Sequence, residues 1–94
     1  MKDDDPDDVP ELALISDARE FAASAEMILE NPRMKAGQGN SGIYVTALTH
    51  TQLILHLVRE VDECTGAQEF DALLYLICCN ADGLARTLSL LRIP

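Results

Sequence analysis

An all-α fold is the expectation for this chain: a three-helix antiparallel bundle behind a disordered acidic leader, paired as a homodimer. Three observations lead there. From Phe70 to Leu91 apolar residues recur at steps of three and four, through Leu73, Leu74, Ile77, Ala81, Leu84 and Leu88. Such steps place all eight on one side of a helix. The same rhythm runs through Leu14, Ala18, Phe21, Ala25 and Ile28. The composition is 48% apolar with only four aromatic residues, so the core is aliphatic and Ala-rich, which suits closely packed helices. A chain of 94 residues fits one domain, helical from residue 10 to 94.

Residues 1–9 read as a flexible leader. Five Asp within eight residues repel one another, and Pro6 and Pro10 oppose a helix across them. The first helix is predicted over about 10–30. Pro10 suits a first helical position, where its missing N–H costs nothing. Ile15, Ala22 and Leu29 widen the apolar stripe, and its alanines permit close approach by a neighbour. Asn31-Pro32 ends the helix, because a residue before proline avoids helical backbone. Residues 31–42 read as a flexible connector containing Gly37, Gly39 and Gly42. Their spacing is G-x-G-x-x-G, but a dinucleotide site needs a strand before the glycines and a helix after them. Here a helix comes first, and no Walker lysine follows.

The second helix is predicted over about 43–64. Ile43, Ala47, Ile54, Leu57, Val58 and Val61 form its apolar side, Leu48 and Leu55 adjoin it, and Ser41 caps its start. The third is predicted over about 67–91. Asn80, Asp82 and Gly83 are poor helix formers, yet the stripe stays in phase across them. One helix is therefore expected, with Gly83 either at a bend or giving room to a tightly packed neighbour. A second apolar line, Leu76, Cys78, Ala85 and Leu90, flanks the stripe. A helix apolar around more than half its circumference needs cover on more than one side.

Charge excludes some partners. The net charge is −9, and residues 1–11 hold six acids and one base. Phosphate contacts need clustered Lys and Arg, so direct nucleic-acid binding and attachment to anionic membranes are not expected. The longest apolar run, Leu73 to Cys79, is too short to span a bilayer. The acidic start lacks the apolar segment of a signal peptide. Three cysteines, Cys64, Cys78 and Cys79, do not form a disulfide framework and read as reduced thiols of a cytoplasmic protein.

No catalytic pattern emerges. His50 and His56 stand six apart, about 600° around a helix, whereas zinc ligands on one helix stand three or four apart. His50 is expected to be exposed or hydrogen-bonded, and His56 to flank the core. Cys78 and Cys79 lie in the most apolar stretch, where burial dulls a thiol; Cys64 is expected to be the more exposed. Glu60 with Glu63, and Glu26 with Glu30, read as solvated surface rather than an acid–base pair. Neither cofactor nor metal is implied.

What remains is surface for association. Tyr75, Leu76, Leu90, Ile93, Leu48 and Leu55 exceed what a three-helix core of this size buries, and exposed apolar patches mark contact sites. The reading is a small acidic non-catalytic module that inhibits or regulates another protein by occupying its surface. Tyr75, Leu76, Leu90 and Ile93 would anchor the contact. Asp3, Asp4, Asp5, Asp7 and Asp8 would speed encounter with a basic surface. The alternative is a structural homo-oligomeric subunit whose apolar patch is consumed in self-pairing.

Overall fold

Four helices follow one another along the chain in the computed structural model, which describes residues 10–38 and 41–91: α1 (Pro10–Leu29), α2 (Pro32–Gln38), α3 (Gly42–Glu63) and α4 (Ala67–Leu90). There is no strand among the described residues. The protein is all-α, with one helix more than the sequence predicts. The leader at residues 1–9, with Asp3, Asp4, Asp5, Asp7 and Asp8, lies outside the described residues, as does Ile93.

The extra helix has a local cause. Asn31-Pro32 ends α1 as expected, but the same pair begins α2. The Asn31 side chain accepts from the Arg33 N–H at 2.8 Å, and its carbonyl accepts from the Lys35 N–H at 3.0 Å. Pro32 then sits at a first helical position, where proline is well tolerated. The segment is held to the fold by Met34, which is wholly buried. The connector is thus a capped helical turn and not a flexible loop up to Gln38.

Ser41 caps α3 as expected, accepting from the Tyr44 N–H at 3.0 Å. The Tyr44 hydroxyl donates to the Leu29 carbonyl, one of the acceptors left over at the end of α1. That contact joins the end of α1 to the start of α3, so the two run in opposite directions. His50 of α3 meets Asn80 of α4, and Thr46 lies beside Thr87, so α3 and α4 are antiparallel too.

The core lies where α1, α3 and α4 converge. In α4 the predicted stripe holds: Ile77, Leu84 and Leu91 are buried, and Phe70, Leu73, Leu74, Ala81 and Leu88 pack partly buried against them. In α1 the buried line is Ile15, Ala18, Ala22, Ala25 and Leu29. All five belong to the expected stripe as widened by Ile15, Ala22 and Leu29, and Phe21 and Ile28 pack partly buried against the core; the centre of the stripe is rotated, because α1 packs more extensively on α3 than on α4. Leu14 consequently stands 48% exposed. In α3, Tyr44 and Thr51 join the buried set, while Ile43 stands 39% exposed. Thr51 is tolerated there because its hydroxyl donates to the Ala47 carbonyl at 2.8 Å. Leu48 and Leu55, expected to be surplus, pack against the core instead.

α4 is continuous through Asn80-Ala81-Asp82-Gly83. The glycine gives room to a neighbour: a Cβ at position 83 would stand 2.8 Å from both Cε1 and Nε2 of His50. Here the imidazole of α3 lies directly on the backbone of α4.

Candidate interaction surfaces

Three of the sequence-predicted contact residues are exposed on α4: Tyr75 at 69%, Leu76 at 44% and Leu90 at 66%. They do not form one patch. Successive residues on a helix point about 100° apart, so Tyr75 and Leu76 face different ways. Leu76 and Leu90, fourteen residues apart, return to within about 40° of one another and share a side with Asn80, Gly83 and Thr87. That side continues across to α3 through His50 and Thr46.

The middle of this face is polar and holds no Asp, Glu, Lys or Arg. The Asn80 amide nitrogen donates to the Leu76 carbonyl at 2.9 Å, which leaves Asn80 Oδ1 as an acceptor facing His50 Nδ1 at 2.8 Å. In this contact His50 Nδ1 donates and Asn80 Oδ1 accepts. Thr87 donates back to the Gly83 carbonyl at 2.7 Å. An open depression beside Thr46 and Thr87, floored by Ile43 and Leu90, lies at the end of the same face.

A second feature lies between α1 and α4. It is an open cleft of about 310 Å³, walled by Leu14, Ala18, Phe21, Ile77 and Ala81. Asp17 and Cys78 stand on its edge. Sequence reasoning missed this cleft, because it assigned Leu14 to the core stripe; Phe21 does pack partly buried against the core while also lining the cleft. The rotation of α1 toward α3 opens it. A third groove, between α1 and α3, brings Arg19 and Arg59 together with Glu26 and Asp62 and has a mixed-charge lining.

The cysteines reverse expectation. Cys78 and Cys79 are exposed, and Cys64 is half-buried. The turn that buries Ile77 carries the next two residues round to the surface. Cys79 lies beside Tyr75, one turn away. A side-chain hydrogen bond with Cys79 is the main cause that raises the Tyr75 phenol above its ordinary value of 10.0, and the charge interaction between the two adds to it. His56 does not flank the core. It stands exposed at 3.8 Å from Glu60, at surface positions where such a pair contributes little.

Among the described residues no group of three or more His, Cys, Asp or Glu is placed to hold a metal ion. Nor is any of their helices long and apolar enough to cross a membrane. No family model, characterised protein or solved structure matches this chain.

Proposed function

We propose that this is a small acidic non-catalytic protein-binding module, which inhibits or regulates a partner protein in the cytoplasm by occupying its surface. The observation that carries the reading is the exposure of large apolar side chains, Tyr75, Leu76 and Leu90, on one helix of a strongly acidic chain. Exposed apolar groups of this size provide anchors that exclude water at a contact. The net charge of −9 favours encounter with a basic surface, to which Asp3, Asp4, Asp5, Asp7 and Asp8 add. Ile93, outside the described residues, belongs to the same set of anchors in this reading.

The test compares the intact chain with a Tyr75→Ala, Leu76→Ala variant as bait. Both positions are exposed, so helicity by circular dichroism should be unchanged. A protein retained by the intact chain and lost by the variant supports the reading. Equal retention of every captured protein by both baits contradicts it.

A second reading, a homo-oligomeric assembly subunit, is favoured by one specific observation. The α3–α4 face around His50, Asn80 and Gly83 carries apolar side chains at its margins and no Asp, Glu, Lys or Arg at its centre.

A further inference from the structure

We propose that the outer face of the α3–α4 pair meets the same face of a second copy, α4 against α4 in opposite directions, with the two-fold axis at Gly83. The proposal rests on the self-association in the second reading above and gives it a geometry. It also divides the exposed apolar residues: Leu76 and Leu90 serve the second copy, and Tyr75 stays free for another protein.

The spacing along α4 carries the argument. Leu76, Asn80, Gly83, Thr87 and Leu90 follow each other at steps of four, three, four and three. Leu76 and Leu90 each stand seven residues from Gly83, about 10 Å along the axis in either direction. A reversed copy centred on Gly83 therefore lays Leu76 of one chain on Leu90 of the other, twice over. The pairing is self-complementary at the two leucines, as a two-fold contact requires, and sets Asn80 level with Arg86 and Thr87 level with Cys79 of the second copy. On α3, the same axis passing near His50 sets Thr46 opposite Leu53 of the second copy, and Leu53 is 41% exposed.

Charge identifies the occupant. In a molecule of net charge −9, two copies repel wherever their carboxylates face each other. Yet Thr46, Leu53, Leu76, Asn80, Thr87 and Leu90, which surround His50, are all uncharged side chains. Loss of charged residues from the centre is the compositional mark of a protein interface. Between Leu76 and Leu90 the line through Asn80, Gly83 and Thr87 offers a basic partner no carboxylate; the nearest on that side is Glu69, one heptad before Leu76. At the rim, Asp82 and Arg86 form an ion pair at 3.2 Å. In the reversed arrangement Arg86 comes within two residues' rise, about 3 Å along the helix, of Asp82 of the second copy. The rims are complementary where the centres hold no Asp, Glu, Lys or Arg.

The mass of the intact chain by light scattering reads the association, and no other protein is needed. The expected value is twice 10.3 kDa. Leu76→Glu and Leu90→Glu should each return it to 10.3 kDa with helicity retained, while Met27→Glu, an exposed α1 position, should leave the doubled mass. A cross-linking arm fixes the direction in a background with Cys64, Cys78 and Cys79 changed to Ser. Chains carrying Leu76→Cys mixed with chains carrying Leu90→Cys should form a disulfide-linked pair on mild oxidation. Leu76→Cys alone should not, because its two sites would lie about 21 Å apart, and a disulfide needs Cα atoms within about 7 Å. A single-chain mass for the intact protein overturns the proposal. So does a doubled mass that both Glu variants preserve, or efficient cross-linking by Leu76→Cys alone. A Tyr75→Ala bait, which leaves Leu76 and Leu90 in place, tests the capture of another protein separately from the mass.

Discussion

Gly83→Ala tests whether His50 really occupies the space over α4. In an unobstructed helix interior this change stabilises by about 1 kcal/mol, because alanine loses less backbone freedom. Here the new Cβ would meet Cε1 and Nε2 of His50 at 2.8 Å and Cδ2 at 3.4 Å. The ring cannot swing aside freely, since its Nδ1–H is bonded to Asn80 at 2.8 Å. Losing that bond costs about 1 kcal/mol, and forcing a methyl into a filled site costs about 1–3 kcal/mol. The clash outweighs the propensity gain, so Gly83→Ala should destabilise by roughly 1 kcal/mol. With His50→Ala already in place the obstruction is gone, and the same change should stabilise by about 1 kcal/mol. The difference between the two backgrounds, about 2 kcal/mol, is the coupling energy. Urea unfolding followed by circular dichroism at one protein concentration measures it. Equal stabilisation in both backgrounds would refute the placement of the imidazole.

Four further outcomes follow from the structure. Leu84→Asp puts a charge where the side chain is wholly buried, which should cost more than about 4 kcal/mol and abolish the helical signal. Ser41→Ala removes the acceptor for the Tyr44 N–H and should cost about 1 kcal/mol, lowering the melting temperature by about 4–8 °C. A thiol reagent should modify two cysteines quickly, Cys78 and Cys79, and the half-buried Cys64 more slowly; three equal rates would contradict the burial pattern. In a Tyr44→Phe background, ultraviolet titration should place Tyr75 above 10.0, and Cys79→Ala should bring it back toward that value.

The helices of this chain are plain in its sequence because each carries its own periodicity. The α4 stripe from Phe70 to Leu91 is so regular that all eight positions ended in or against the core. Ser41 announced the start of α3 because a cap acts on residues three positions away. Rotation is harder to read. Both 14-18-21-25-28 and 15-18-22-25-29 lie within the apolar stripe of α1, and the preference of α1 for α3 buries the second set fully while Phe21 and Ile28 of the first stay half-buried. That choice exposed Leu14 and opened the α1–α4 cleft. Asn31-Pro32 carries a stop and a start in the same two residues, and the start matters because Met34 has a buried place to go. Cys78 and Cys79 were misjudged for a related reason. A continuous apolar run says that some of it is buried, and the phase of Ile77 decides which part.

Sedimentation equilibrium of the intact chain from about 50 mM to about 1 M salt tests the central claim most directly. Added salt shortens the reach of the net charge of −9 from roughly 14 Å to about 3 Å and strengthens apolar contacts across a face with no Asp, Glu, Lys or Arg at its centre. A doubled mass that dissociates less as salt rises is the predicted result. A single-chain mass throughout that range, with Leu76 and Leu90 fully accessible, would contradict it.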